Sequence, residues 1–344
     1  MPATDTILPD WVRAHGKPLV QGLIKQSPQD FHVEEVLGFV PSGDGEHDYL
    51  LIEKTDANTN WVARQLAQHA NVAVRDIGFA GMKDRRAVTS QWFSARRPDG
   101  SGTDWEALAL PGVRILEQQR NNRKLRRGAH SANLFRIVVR LTDVVDESLP
   151  ERLAQIRTIG VPNYFGPQRF GRDGNNLKLA NAIFAGKRVK RDQRSIAISA
   201  ARSFLFNEVL SARVSAGNWN EILDGEPVNL DGTASFFVPE ENDDALQARQ
   251  DAFDVHPTGP LWGRGESECS GAAAEYEKHV GDENSDVVSG LEKVGARCDR
   301  RALRLRLQEF EWEISNGVIE IRFRLGKGSF ATTVLREFME PINA

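Results

Sequence analysis

Cysteine is almost missing from this chain: Cys269 and Cys298 are the two in 344 residues, and no C-x-x-C pair occurs. Neither a disulfide framework nor a zinc knuckle is therefore expected. Long apolar runs are missing too. The stretches at Ile137–Val139 and Phe204–Phe206 fall far short of the roughly 20 residues that a membrane helix needs. The opening MPATDTILPDWVRAHGK has no apolar centre, so no signal peptide is expected and cytoplasm is the expected compartment. The seven histidines (His15, His32, His47, His69, His130, His256, His279) show no H-E-x-x-H or other ligand spacing, so no metal is expected. No G-x-S-x-G elbow, G-x-G-x-x-G turn or G-x-x-x-x-G-K loop is present, which argues against a serine nucleophile, a dinucleotide and a P-loop. Cys269 sits among acids, where a thiolate is disfavoured. If the chain does chemistry, it is expected to use a carboxylate and no cofactor.

What is present is an ordinary globular composition with an uneven distribution of charge. Forty per cent hydrophobic and 27% charged residues permit a sizeable core, and the length suits two domains or one domain with an insertion. The net charge of −4 averages over blocks of opposite sign. Pro111–Arg140 holds eight bases against Glu117 alone, and Tyr164–Arg202 holds nine against Asp173 and Asp192. Ala216–Lys293 reverses the balance, with eighteen acids against four bases. Such a chain can offer a cationic face to a polyanion while staying acidic overall, which makes nucleic acid a candidate partner.

The N-terminal third alternates strand-like and helical pieces. Gly22–Glu35 and Asp48–Lys54 read as strands around a turn at Pro41–Gly45. NTNWVARQLAQHANV reads as a helix opened by Asn58 or Thr59. Strands are expected at Asp76–Ala80, Thr89–Ser94 and in NLFRIVVRL, and helices over Ser148–Thr158 and Ser195–Gly217. The acidic part that follows is turn-rich and gives no clear elements. Phe310–Leu325 alternates across Ser-Asn-Gly as a hairpin, and GSFATTVLREFM is expected to close the chain as a helix capped by Ser329 or Thr332. The expected class is α/β of the α+β type, with much antiparallel sheet.

GFAGMKDRRAVTSQ, residues 78–91, places Asp84 between Lys83 and Arg85, with Arg86 next and small residues around it. Basic neighbours favour an ionised carboxylate, small ones admit a substrate, and two flanking strands give a rigid base. Such a carboxylate can attack an electrophilic carbon. From the residues alone, a salt-bridged turn is the commoner arrangement and stands ahead of the nucleophile. In NNRKLRRGAHSANLF the bases Arg123, Lys124, Arg126 and Arg127 could meet phosphates, and Phe135 could stack on a base or fill a core. NYFGPQRFG sets Arg169 among aromatics and glycines in the same way.

Taken together, these segments resemble the tRNA pseudouridine synthase D (TruD) family. KQSPQDFHVEE (25–35), GFAGMKDRRAVTSQWFS (78–94), KLRRGAHSANLFRIVVR, GVPNYFGPQRFG and GSFATTVLRE match its blocks in order. The resemblance implies isomerisation of uridine to pseudouridine in tRNA, typically uridine 13 of tRNA(Glu), with no cofactor. It implies Asp84 as nucleophile, Lys25 and Phe135 as its active-site neighbours, and Phe31, Asn133 and Phe330 around a flipped uridine. Lys83 and Arg85 join Arg123, Lys124, Arg126, Arg127 and Arg169 as expected RNA contacts. It also implies a pseudouridine synthase catalytic domain with a central antiparallel sheet over 1–158 and 305–344, interrupted by an α/β insertion domain (TRUD) over 159–304. A monomer is expected, with tRNA as partner and neither membrane nor metal. Gln29 stands where the family has Glu, and Ala132 where Gly is common. Two rivals remain: an RNA-binding protein without catalysis, which needs the bases but not Asp84, and a glycosidic hydrolase, which needs a second acid such as Glu34 or Glu35.

Overall fold

The computed structural model describes residues 8–97 and 102–342; the opening segment tested for a signal peptide lies partly outside them, in residues 1–7. The described residues gather into two compact units. One comprises 19–149, 307–328 and 339–342, the other 8–18, 150–306 and 329–338.

The sheet unit begins with β1 (Val20–Ile24), β2 (Phe31–Leu37) and β3 (His47–Thr55). Helix α1 (Thr59–His69) follows, opened by Asn58, whose side chain accepts from the Asn60 amide. Next come β4 (Ile77–Phe79), β5 (Val88–Arg96), β6 (Val113–Asn121) and β7 (His130–Leu141). Leu50 and Ile52 of β3 and Phe93 of β5 pack with Val62 and Leu66 of α1, burying the helix's apolar stripe.

The second unit takes in α2 (Leu149–Ile159), β8 (Val161–Pro162), α3 (Asn175–Phe184) and the long α4 (Arg191–Ser215). Strands β9 (Val228–Leu230) and β10 (Phe236–Phe237), helix α5 (Asp244–Asp251), strand β11 (Val255–Leu261), helices α6 (Gly271–Glu283) and α7 (Ser285–Lys293), and strands β12 (Asp299–Ala302) and β13 (Arg304–Leu305) complete its middle. The acidic stretch thus holds three helices and strands β9, β10 and β11, which join β12 in a small sheet of order β10-β9-β11-β12. Residues 8–18 belong to this unit because Trp11 packs on Tyr164 and Phe170 and donates to Glu208.

The chain then returns to the sheet unit with the hairpin β14 (Gln308–Ser315) and β15 (Val318–Gly326). Its turn residues Asn316 and Gly317 have φ of 50° and 73°, the left-handed pair that a two-residue hairpin requires. The expected closing helix is short: α8 (Ala331–Leu335) has no side-chain cap, and the described residues end in strand β16 (Met339–Ile342). β16 pairs in parallel with β1, whose other side pairs with β7. A free strand edge, invisible in local sequence, decides that segment.

The main sheet runs β14-β15-β7-β2-β5-β3-β6, antiparallel along this path except for β2–β5, with the parallel β1–β16 pair attached off the path. The chain is mixed α/β with a mostly antiparallel central sheet. Among the described residues, no helix is long and apolar enough to cross a membrane.

Candidate active site

Strand alternation builds one wall of the site. Phe31, Val33 and Glu35 share a face of β2, and the register sets Val33 beside Phe135 and Glu35 beside Asn133 on β7. Phe135 stacks on Phe323 of β15 at 5.3 Å and meets Phe31 edge-on at 6.2 Å. Above this aromatic row lies Lys25, its ammonium 4.0 Å from the Phe31 ring centroid. Lys25 itself has φ of 58°, a left-handed conformation that costs a non-glycine residue on the order of 1 kcal/mol. The turn that carries it is held by Asp30, which accepts from the Ser27 amide at 3.0 Å and pairs with Arg140 at 2.7 Å. Burial pushes the Asp30 pKa up, but Arg140 and the amide outweigh it and hold it below the usual carboxylate range. Gln29 is exposed beside it, and Ala132 is buried in extended strand. The two departures from the family pattern therefore leave this frame intact.

Asp84 sits on the loop between β4 and β5 and forms an ion pair with Lys25 through Oδ2. Its carboxylate is 54% exposed, so one face stays open to a ligand. Gly78, at the loop's root, has no room for a side chain: a Cβ there would collide with the Leu125 carbonyl oxygen. That close approach ties β4 to the basic loop, where the Gly128 amide also donates to the Ala80 carbonyl at 2.7 Å. Arg123, Lys124, Arg126 and Arg127 are all exposed on that loop, and Arg127 covers Phe79 at 4.0 Å.

Lys83 turns inward, away from the RNA-facing place expected for it. Its side chain is 6% exposed and lies 3.0 Å from Glu35 and 2.7 Å from Asn133 Oδ1. The physical reason is Glu35, a fully buried carboxylate that needs a counter-charge. Burial still raises the Glu35 pKa despite Lys83. Arg85 points outward and pairs with Asp56 at 3.3 Å. Of the two acids that a hydrolase could use, Glu35 is thus consumed in the interior, and Glu34 lies on the opposite face of β2.

His130 opens β7 beside the loop, with Nδ1 buried and without a hydrogen-bond partner. Burial, with Lys83 and Lys327 nearby, pushes its pKa down to about 4, so the ring is neutral at pH 7.

Phe330 and Arg169 lie in the second unit. Phe330 meets Phe165 edge-on at 6.1 Å, and Arg169 stands 5.7 Å from the Phe330 ring and 5.1 Å from the Phe165 ring. Arg169 donates to Ser199 at 3.1 Å, while its Nε is buried without a partner. Arg301 also covers this cluster, 4.1 Å from the Phe165 ring.

Three polar side chains at the Asp84 loop, each fully buried, are given no site role by the sequence: Lys54, Thr59 and Gln91, the last inside the segment 78–94. Lys54 does carry a signal, because it falls on the same strand parity as the buried Leu50 and Ile52.

A carboxylate paired to lysine above an aromatic row, on an antiparallel sheet, is a site equipped for covalent or proton-transfer work on a flat ligand. Similarity to known proteins narrows it. The family model described as tRNA pseudouridine synthase D (TruD) matches residues 12–191 and 175–338. A protein named tRNA pseudouridine synthase D from Methylococcus capsulatus is 45% identical over 96% of this chain and 94% of its own length. One of the same name from Nitrosococcus oceani is 46% identical over 93% and 91%. A crystal structure described as a putative tRNA pseudouridine synthase D from Methanosarcina mazei superposes with a TM-score of 0.73 at 22% identity, covering 95% of each chain, and shares the fold. The chain belongs to the tRNA pseudouridine synthase D family, a family of isomerases.

Proposed function

We propose that the protein isomerises uridine to pseudouridine in tRNA, at uridine 13 of tRNA(Glu), with Asp84 as nucleophile. The reading is of a cytoplasmic monomer that uses neither cofactor nor metal, with the sheet unit as its catalytic domain. The observation that carries it is the half-exposed Asp84 carboxylate, paired with Lys25 over Phe31 and beside Phe135.

A stacked uridine must leave its stack to reach such a carboxylate, at a cost of a few kcal/mol. The cationic loop 123–127 offsets that cost by phosphate contact. The N-glycosidic bond then breaks, uracil turns, and C5 bonds to C1′; the C5 proton leaves to solvent and N1, freed from the ribose, takes one up. Nothing is oxidised or reduced. Lys25 orients the carboxylate, and Phe31, Phe135 and Asn133 hold the extruded base. Arg169 and Arg85 contribute phosphate contact.

The test is Asp84→Asn with tRNA carrying tritium at uridine C5. Release should fall at least about 1,000-fold while tRNA affinity stays within threefold. Equal release from both proteins refutes the nucleophile. Release of free uracil would identify a hydrolase, and binding without any wild-type release would identify a non-catalytic RNA binder.

A further inference from the structure

The short loop that carries Asp84 is gripped along its backbone by side chains from three different elements. Gln91 of β5 donates to the Gly81 carbonyl at 3.1 Å. Thr59 of α1 accepts from the Lys83 amide at 3.1 Å and donates to Gln91 Oε1 at 2.8 Å. Lys54, at the end of β3, donates to the Asp84 carbonyl at 3.0 Å and to the Ala57 carbonyl at 2.7 Å. All three side chains are fully buried. Asp84 is therefore held twice by lysine, at its carbonyl by Lys54 and at its carboxylate by Lys25.

Lys54 is the unusual member. Among the described residues no carboxylate forms an ion pair with its ammonium; its partners are two carbonyls. A buried charge so compensated gives little stability compared with an aliphatic side chain of the same length. What it does give is direction, because its two bonds converge on the loop from a fixed strand. Misplacing a reacting group by about 1 Å costs on the order of 100-fold in rate.

We propose that Lys54, Thr59 and Gln91 are positioning residues that fix the Asp84 backbone, and through it the carboxylate, for reaction with the uridine. The inference rests on the reading of Asp84 as nucleophile. Burial pushes the Lys54 pKa down to about 8 against the attraction of Asp84, which leaves the side chain charged at pH 7.

The experiment compares Lys54→Met, Thr59→Val and Thr59→Ser in the full chain, using C5-tritiated tRNA, with Asp84→Asn alongside. Lys54→Met should lower kcat about 100-fold and Thr59→Val about 10-fold, with KM and tRNA Kd within twofold. Thr59→Ser keeps both hydrogen bonds and should keep kcat within twofold. Full kcat in folded Lys54→Met, a loss that appears in Kd rather than kcat, or equal losses in the two Thr59 variants overturns the proposal. If Lys54→Met does not fold, the Thr59 pair decides. An active Asp84→Asn overturns the nucleophile reading instead, whatever the other variants do.

Discussion

Both units bury ion pairs, and they differ at the loop that carries Asp84. In the second unit buried arginines meet carboxylates: Arg213 pairs with Glu226 at 3.1 Å, and Arg300 with Glu277 at 2.6 Å. Arg304 reaches Asp231 through His256, which accepts at Nδ1 and faces Asp231 with Nε2. In the sheet unit, Lys83 is cancelled by Glu35, but among the described residues Lys54 is met by carbonyls alone, Asp84 keeps an open face beside its Lys25 partner, and the basic loop is exposed. Cancelled charge holds a scaffold together and presents no field. Uncancelled charge at a rigid loop is what a polyanionic substrate can use. The acidic stretch illustrates the first case: much of what reads in sequence as a block of one sign is internal pairing or helix surface.

Breaking one pair should make the scaffold unit behave badly. Glu277→Ala leaves Arg300 buried beside Thr258 with its guanidinium short of a carboxylate. It should cost about 3 kcal/mol in urea unfolding, and replacing Arg300 by Met as well should recover part of that loss. A double variant no more stable than the single would contradict the pairing argument.

Changing Arg123, Lys124, Arg126 and Arg127 together to Gln should raise the KM for tRNA about 10-fold or more. It should also flatten log Kd against log salt by up to about 3, at roughly 0.7 for each phosphate no longer neutralised. The matching change in the acidic stretch, Glu240, Glu241 and Asp244 to neutral residues, should leave that slope where it was. A slope that moves equally for both sets would erase the contrast between the units.

The smallest effect is at His130. Its folded pKa of about 4 lies below the usual 6.5, so the unfolded chain binds the extra proton between those values. The stability that neutral His130 brings is full above pH 6.5 and is lost as pH falls toward 4. The ring is half-buried, so solvent screening trims the effect. Compared with His130→Gln, the wild type should lose somewhat under about 1 kcal/mol of its relative margin by pH 5.5, read by urea unfolding at pH 7 and 5.5. A constant difference would mean that the ring titrates normally.

Much of the sheet unit is legible in the sequence because its signals are local. The Asn58 cap, the alternation of β7 and the Asn316–Gly317 turn each specify their element within a few residues. Strand β6 escapes such a reading because it is an edge strand, largely exposed, with little alternation to follow. Helix α3 hides behind a glycine-rich stretch although Leu177, Ala180 and Ile183 carry its buried face. Polar residues mask the start of α4 at Arg191. β16 goes unread because its partner, β1, lies at the far end of the chain. The site divides in the same way. Asp84 stands out among bases, whereas Lys83's inward turn toward Glu35 and the grip of Lys54 depend on contacts across strands.

The pairing of β7 with β15 has a consequence for how this protein is made. β7 ends at Leu141 and β15 begins at Val318, so the ribosome must deliver residues 150–306, the bulk of the second unit, in between. At about 5–20 residues per second, that is on the order of ten to thirty seconds. Throughout that interval the strand bearing Phe135 and Asn133 presents an unpaired edge, a template for aggregation. The nascent chain has a vulnerable half-minute that the finished enzyme does not, and expression at low temperature or with a holding chaperone should matter more for this fold than its final stability would indicate.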